Sequence, residues 1–264
     1  MSATPATPLL LCARIGNSHT TVGLVHAGEV AAVWRIATEV RRTADEWPVL
    51  LRGLLGERLE EIDGIAVCAT VPAVLHAWRE MLGRHFATVA SVVVEPGVRT
   101  GVPILMDNPR EVGTDRIANA VAAARIYGGP AIVVDFGGTA TTFEVVSAEG
   151  QYVGGAIAPG LEISLEALGR RGAQLRHVEL ARPRSVIAKN SIEAIQSGMV
   201  FGVAAQVEGI VARMIATLGV PVDEVKVIST GYLADIVTGE CACFTDHHPW
   251  LTLLGLELVF RRNS

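Results

Sequence analysis

Residues 14–25, RIGNSHTTVGLV, place a Gly-Asn-Ser turn after an apolar strand-like segment and before another. Residues 135–146, DFGGTATTFEVV, repeat this pattern: the turn glycine, the hydroxyl residue, the Thr-Thr pair and the following strand all align. The two copies are offset by 121 residues, close to half of the 264-residue chain. A repeat at this spacing indicates a duplicated domain and not a solenoid, whose repeats span about 20 to 50 residues.

The segments around the two copies alternate between helical and strand patterns. Two segments have helical spacing of apolar residues and two are continuous apolar runs typical of buried strands. They are, in that order, residues 43–55, 115–127, 62–70 and 90–95. The sequence therefore predicts two α/β halves, residues 1–120 and 121–264, that face each other across a cleft.

The composition narrows the class of protein. Half of the residues are apolar, so the chain has enough apolar surface for a sizeable core. The net charge of −5 argues against nucleic-acid or anionic-membrane partners, which need clustered cations. We expect no apolar run long enough for a membrane span, and the N-terminus lacks the basic segment of a signal peptide. A cytoplasmic location is predicted.

The four cysteines, at positions 12, 68, 241 and 243, show no disulfide framework. Cys241 and Cys243 precede an Asp-His-His sequence at residues 246–248, which leaves a metal cluster as an alternative. That alternative is disfavoured, because zinc sites usually separate paired cysteines by two to four residues.

The two hairpins suit the oxygens of a polyphosphate, because Gly, Ser and Thr turns expose backbone N–H groups. The chain has no Walker-type sequence and no strand-linked G-x-G-x-x-G, so no motif supports a Walker-type NTPase or a dinucleotide-binding protein. A third candidate is the strand at residues 225–232, VKVISTGY, where an adenosine could rest. The residues of these three segments that could contact a phosphorylated nucleoside are Arg14, Gly16, Asn17, Ser18, His19, Thr20, Gly138, Thr139 and Gly231; for His19, simple exposure is the favoured interpretation.

The hairpin order resembles the actin, acetate and sugar kinase superfamily, and nearly the whole chain resembles the type III pantothenate kinases. The resembling stretches are long and unusual. They are TADEWPVLLRGL (43–54), EPGVRTGVPILMDNPREVGTDRIANAVAA (95–123), IVVDFGGTATTFEVV (132–146), GGAIAPGLEISLEAL (154–168), VELARPRSVIAKNSIEAIQSG (178–198) and LTLLGLELVFRRN (251–263).

The resemblance implies an α/β fold of duplicated ribonuclease-H-like halves with a central ATP cleft. It implies ATP-dependent phosphorylation of pantothenate on its primary hydroxyl, which gives 4'-phosphopantothenate in the first step toward coenzyme A. It also implies a homodimer with substrate at the subunit interface. A sugar or acetate kinase is disfavoured, because the Gly-Thr-Asp-Arg and Lys-Asn-Ser stretches match the pantothenate branch.

The Gly-x-Asp-Arg motif of that family corresponds to Gly113, Thr114, Asp115 and Arg116. The resemblance makes Asp115 the proposed proton acceptor and the motif a substrate site. A carboxylate near an alcohol can take its proton during attack on a phosphate, and an adjacent arginine can neutralise a substrate carboxylate. A second interpretation stays open: Asp115 precedes an apolar helix and could serve as its N-cap.

Further roles follow from the resemblance. Asp135 matches the ligand of a monovalent cation, potassium or ammonium, and hard cations favour such oxygens. Thr139 matches an ATP-contacting hydroxyl. Ser191 matches a threonine that reaches the neighbouring subunit's substrate, and Met106 stands where the family has an aromatic substrate contact.

Several positions depart from the family pattern. Arg14 replaces an aspartate that helps hold Mg²⁺, the second hairpin carries one extra glycine (Gly137-Gly138), and Tyr232 replaces the second glycine of Thr-Gly-Gly. Two hypotheses follow: a working pantothenate kinase, or a catalytically impaired or silent relative with a binding or regulatory role. If Arg14 points into the cleft, we expect it to bind the ATP phosphates directly and to weaken the magnesium site.

The segment from Ile192 to Leu218 is apolar on more than one face, which exceeds a single core stripe. We expect this helix and Ser191 to contribute to a dimer interface. The alternative is a helix buried inside one monomer.

Overall fold

A computed structural model describes residues 7–171 and 178–264. The chain forms two compact units. The first comprises the residues up to Val102, then Asn108–Ala122 and Thr252–Ser264; the second comprises Pro103–Asp107 and Ala123–Leu251. The predicted halves, 1–120 and 121–264, divide the chain by its internal repeat, and that division stays a prediction.

The first unit is built on a five-stranded mixed sheet in the order β3-β2-β1-β4-β5. Strands β1 to β3 form an antiparallel meander, whereas β4 and β5 extend the sheet in parallel. The strands are β1 (Leu9–Ile15), β2 (His19–His26), β3 (Glu29–Ala37), β4 (Gly64–Ala69) and β5 (Ala90–Val93). The helices are α1 (Glu46–Leu55), α2 (Pro72–His85) and α3 (Thr114–Ile126), whose N-terminal part belongs to this unit.

The second unit repeats this topology, with the order β10-β9-β6-β7-β8. Strands β6 to β8 are antiparallel, and β9 and β10 continue in parallel from β6. The elements are β6 (Ala131–Phe136), β7 (Ala140–Val146), β8 (Tyr152–Pro159), α4 (Leu161–Arg171), α5 (Ser191–Leu218), β9 (Lys226–Thr230), α6 (Ala234–Val237) and β10 (Asp246–His247). Helix α7 (Leu251–Asn263) lies almost entirely in the first unit.

The two sheets repeat the same register at the 121-residue offset. Arg14 pairs with Thr21 as Asp135 pairs with Thr142. The ladder of β2 with β3 shifts register after Leu24, and that of β7 with β8 shifts after its counterpart Val145. The duplicated α/β fold predicted from the two hairpins is thus confirmed.

Each unit has its own apolar core. In the first unit, Trp47 of α1 and Trp78 of α2 are fully buried, and their ring centroids lie 5.0 Å apart. In the second, Phe136 and Phe143 are fully buried against a core that includes Val207 of α5. The central strands β1 and β6 are covered on both faces, which explains their nearly continuous apolar sequences.

The predicted helices and strands are present, with small shifts at their ends. Residues 43–55 form α1 from Glu46 onward, and Glu46 accepts hydrogen bonds from the backbone N–H and the hydroxyl of Thr43. Helix α3 begins at Thr114, so Asp115 lies inside its first turn and is not the N-cap.

Helix α5 corrects the expectation that no segment is long and apolar enough for a membrane span. Its 28 residues meet that criterion by length and composition. The expectation considered uninterrupted apolar runs, whereas α5 is apolar on average even though polar residues such as Gln206 and Glu208 interrupt it. A core helix can meet the same criterion, and one side of α5 is buried through Met199, Val200, Ala204, Val207 and Val211.

Candidate functional site

The turn of the first hairpin is set by Gly16. Its N–H donates to the carbonyl of His19 at 3.0 Å, and a Cβ on Gly16 would lie 3.0 Å from that same oxygen. Asn17 and Ser18 are exposed at the tip, and His19 is half-buried, not simply exposed as favoured from the sequence. The backbone is therefore closed on itself, and the tip faces solvent.

Thr38, which the sequence analysis missed, supports this turn from the end of β3. Its hydroxyl donates to the carbonyl of Gly16 at 2.8 Å, and its N–H donates to the carbonyl of Ser18 at 2.9 Å. Its oxygen also lies 2.9 Å from the hydroxyl of buried Thr20. A threonine just past a strand has many structural roles, so its spacing alone gave no signal.

Arg14, the penultimate residue of β1, contacts the candidate proton acceptor. Its Nη2 donates to Oδ2 of Asp115 at 3.1 Å, although the two residues are 101 positions apart in the chain. Their side chains are 21% and 14% exposed, so the ion pair is partly shielded from solvent. Charge-assisted hydrogen bonds of this kind are among the stronger polar contacts in proteins.

The Gly-Thr-Asp-Arg motif is anchored to the sheet of the first unit. The hydroxyl of Thr114 donates to the carbonyl of Ala69 and accepts from its N–H, at 3.1 and 3.0 Å. Oδ1 of Asp115 accepts from the N–H of Arg116 at 2.9 Å, and a Cβ on Gly113 would lie 2.8 Å from that oxygen. Both carboxylate oxygens of Asp115 therefore have donors within the first unit.

The second hairpin is held by different partners. The N–H of Gly160 donates to the carbonyl of Thr139 at 2.9 Å, and the N–H of Ile163 in α4 donates to the carbonyl of Gly138 at 3.1 Å. Asp135 is buried at the end of β6, with 2% of the residue exposed. The start of α4 thus supports this turn, as Thr38 supports the first.

Tyr232 and Glu162 close over Gly138. The hydroxyl of Tyr232 donates to Oε2 of Glu162 at 2.7 Å. A Cβ on Gly138 would lie 2.2 Å from the tyrosine oxygen and 2.1 Å from Oε2. The extra glycine and the tyrosine are therefore parts of one arrangement, in which the absence of a side chain at 138 leaves room for the Tyr232–Glu162 hydrogen bond.

Gly231 brings the end of β9 close to Asp135. Its φ of +94° is in the region that favours glycine, and a Cβ there would lie 2.5 Å from Oδ1 of Asp135. Any other residue at 231 would strain the backbone and displace the carboxylate.

Met106 and Ser191 also lie in the second unit. Residues 103–107 run beside the start of β8, where the N–H of Leu105 donates to the carbonyl of Tyr152 at 2.8 Å. Ser191 is the exposed first residue of α5 and lines a surface cavity of about 500 Å³. The other residues around that cavity are Leu168, Ala194, Ile195, Gly198 and Met199.

The first hairpin does not provide a magnesium ligand at position 14, because a guanidinium stands there and is paired with a carboxylate. Within residues 7–171 and 178–264, no three His, Cys, Asp or Glu side chains are grouped to hold a metal ion. The candidate ligands from Cys241 to His248 do not form such a group. Nδ1 of His247 instead lies 2.8 Å from the hydroxyl of Ser229, and its Nε2 lies 3.3 Å from Asp235.

The thiols of that segment interact with each other instead. A hydrogen bond between Cys241 and Cys243 lowers the pKa of Cys243 and raises the pKa of Cys241, and burial adds to the rise at Cys241. The thiol of Cys241 also lies 3.6 Å from the carbonyl of Val237.

The predicted site residues thus form two groups. The first unit brings Arg14 and the hairpin at 16–20 together with the motif at 113–116. The second unit brings Asp135, Gly138 and Gly231 together. Sequence reasoning missed Thr38 and Glu162, whose roles depend on long-range contacts.

Comparisons with known proteins show the family of the chain. Residues 10–213 match the family model described as type III pantothenate kinase. A type III pantothenate kinase from Nocardioides sp. is 77% identical over 97% of this chain and 99% of its own, and one from Streptomyces griseus is 60% identical over 97% and 98%.

Solved structures share the fold at low sequence identity. A protein from Campylobacter jejuni whose structure is described as a conserved putative Baf family transcriptional activator has a TM-score of 0.59 at 16% identity, covering 96% of this chain and 98% of its own. Component A of the (R)-2-hydroxyglutaryl-CoA dehydratase from Acidaminococcus fermentans has a TM-score of 0.55 at 14% identity, covering 97% and 99%.

Proposed function

The chain belongs to the type III pantothenate kinase family, and from this premise we propose that it phosphorylates pantothenate through the carboxylate of Asp115. The family activity transfers the terminal phosphate of ATP to the primary hydroxyl of pantothenate. The product, 4'-phosphopantothenate, leads toward coenzyme A.

The observation that supports the proposal is the hydrogen bond between Arg14 and Asp115, which joins the motif carboxylate to the strand residue two positions before Gly16. In the reaction, the hydroxyl oxygen of pantothenate bonds to the γ-phosphorus as the bond to the ADP oxygen breaks. Asp115 takes the hydroxyl proton, and ADP leaves with the electrons of the broken bond.

The neighbouring residues would orient the substrate. Arg116 follows the proton acceptor in the motif, and its guanidinium suits the carboxylate of pantothenate. Thr114 fixes the first turn of α3 to the end of β4, which limits how far Asp115 can move. Ser191 and Met106 remain the proposed further substrate contacts.

ATP is the phosphate donor implied by the family. The proposed contacts are the first hairpin, Gly138 and Thr139 of the second, and Gly231. Potassium or ammonium is proposed at Asp135, a buried carboxylate at the end of β6. Magnesium would supply charge neutralisation when it arrives with ATP, but position 14 does not fit as its ligand, and we assign it no protein step.

We propose a homodimer built in part on α5. Ile192 at its start is 57% exposed and Ile157 of β8 is 66% exposed, both high for large apolar side chains. The side of α5 that its own unit leaves uncovered is largely apolar, and we propose that a second copy of the chain covers it. A cytoplasmic location without nucleic-acid or membrane partners completes the proposal, in keeping with the net charge of −5.

A second function, binding without efficient turnover, is favoured by two specific observations. Both oxygens of Asp115 already accept hydrogen bonds, and the Tyr232–Glu162 pair covers Gly138. In this case the chain would bind its ligands as a regulatory partner or silent subunit.

A direct assay separates the two functions. The purified chain is incubated with pantothenate, ATP, magnesium and potassium, and 4'-phosphopantothenate is measured by mass spectrometry. Product formation that is lost in Asp115→Asn supports the kinase. Pantothenate binding without product, in both the native chain and Arg14→Asp, supports the silent relative.

A further inference from the structure

The backbone of Arg14 is held at the base of the first hairpin, and its side chain contacts one anion. Its backbone is fixed by ladder pairing with Thr21 on one side and Cys68 on the other. It lies two residues before Gly16, so the side chain starts beside the turn of the first hairpin. On the present contacts its guanidinium binds the carboxylate of Asp115.

A carboxylate and a phosphate are interchangeable partners for a guanidinium. Both present oxygen pairs that match the planar fork of N–H donors, and both form charge-assisted hydrogen bonds. The Arg14–Asp115 pair is also partly accessible, with 21% and 14% of the side chains exposed. An anion that enters the hairpin can therefore meet the arginine without unfolding the unit.

We propose that Arg14 is a switch between Asp115 and the phosphates of the nucleotide. Without nucleotide, Arg14 holds Oδ2 of Asp115. When a polyphosphate occupies the first hairpin, Arg14 transfers its hydrogen bonds to the phosphate oxygens, and Oδ2 becomes available to accept the proton of the substrate hydroxyl. The second half of this statement rests on the proposed function; the competition for Arg14 does not.

The switch couples nucleotide binding to proton acceptance. A binding-competent state that is populated one-tenth of the time lowers the apparent affinity about tenfold. Removal of the competing carboxylate should restore that affinity. The same coupling keeps the proton acceptor occupied until a phosphate donor is present.

The test is a double-mutant cycle of polyphosphate binding. Inorganic triphosphate is titrated by calorimetry, without magnesium, into the native chain, Asp115→Asn, Arg14→Gln and the double variant. We expect Asp115→Asn to tighten binding about three- to tenfold and Arg14→Gln to weaken it. In the Arg14→Gln background, Asp115→Asn should give no gain.

The double variant separates competition from simple charge repulsion. Loss of the Asp115 charge would raise anion affinity in either background if repulsion alone acted. An equal gain in both backgrounds, or no gain in the native background, overturns the proposal. Arg14→Lys provides a second route if Arg14→Gln fails to fold: it keeps the charge but loses the fork, and should reduce the gain.

The outcome is distinct from a failure of the proposed function. If Asp115→Asn tightens triphosphate binding and yet turns over pantothenate, the competition stands and Asp115 is not the proton acceptor. If Asp115→Asn abolishes turnover without tightening binding, the kinase function stands and the switch is refuted.

Discussion

The two hairpins have the same backbone and opposite chemistry. Gly16 and Gly137 each donate to a carbonyl three residues ahead at 3.0 Å, and the strands around them share one register. The penultimate strand residue, however, is the partly exposed Arg14 in one copy and the buried Asp135 in the other. The duplication preserved backbone hydrogen bonds and the small residue at the turn, whereas the charge beside the turn changed sign.

The supports of the two turns differ as well. Thr38 and its hydroxyl hold the first turn, while backbone N–H groups at the start of α4 hold the second. Asn17 is exposed at the position that corresponds to Gly138, which lies under Tyr232 and Glu162. The first tip is open, and the second is covered by side chains of its own unit.

The largest expected effect concerns the carboxylate beside the open hairpin. Asp115→Asn should reduce turnover about 10² to 10⁴ fold, because an amide cannot accept the proton that a general base takes. Steady-state ADP release measures this. Glu57→Gln, which neutralises an exposed carboxylate on the same unit, is the matched control and should leave the rate unchanged. Native turnover in Asp115→Asn would refute the assignment.

The stability of the protein should depend more on the residue at position 138, in the covered tip, than on the residue at position 17, in the open tip. Gly138→Asn should destabilise the fold by about 1 to 3 kcal/mol, since its Cβ would overlap Tyr232 and Glu162. Asn17→Gly in the first hairpin should change stability by less than about 0.5 kcal/mol. Urea unfolding of both variants compares the tips directly.

The cause of that sensitivity can be isolated with Tyr232→Gly, which restores the residue expected from the family pattern. In the Tyr232→Gly background, Gly138→Asn should cost less than in the native chain, because one of the two overlapping atoms is gone. Equal costs in both backgrounds would show that Tyr232 does not cover the turn.

The change of charge at position 14 should alter the dependence on magnesium. A fixed guanidinium attracts phosphate oxygens and repels a divalent ion, so the native chain should bind ATP with little help from magnesium. Arg14→Asp should make the magnesium effect on ATP affinity larger by about tenfold, or roughly 1.4 kcal/mol. Calorimetry with and without magnesium measures it; equal dependence in both proteins would place Arg14 away from the phosphates.

The smallest effect concerns the support of the first turn. Thr38→Val removes the hydroxyl bonds to Gly16 and Thr20 and should cost about 0.5 to 1.5 kcal/mol of stability. Thr38→Ser retains the hydroxyl and should cost less. If Thr38→Val and Thr38→Ser unfold at the same urea concentration, these hydrogen bonds contribute nothing to the hairpin.

The sequence allowed prediction of those features that repeat along the chain or recur with the period of a helix or strand. The turn glycines, the strand patterns and the apolar spacing of α1 and α3 are local signals, and together they predicted the duplicated fold. The partners of single side chains are not local: Arg14 and Asp115 are 101 residues apart, and Tyr232 and Glu162 are 70 apart. Thr38 lies 22 residues beyond the glycine that it supports, with no pattern to connect them.

The paired hydrogen bonds between Thr114 and Ala69 determine which residue neutralises the charge of Asp115. They hold the first turn of α3 against β4, the strand that pairs directly with β1, so the carboxylate of Asp115 meets whatever side chain β1 presents. With arginine there, the counter-ion of that carboxylate is tethered, and its effective concentration does not fall when the solution is diluted or depleted of cations. With an acidic residue at position 14, two carboxylates would be neighbours, and their counter-ion would have to bind from solution. The positive charge that neutralises Asp115 is therefore part of the chain and does not have to be bound from solution.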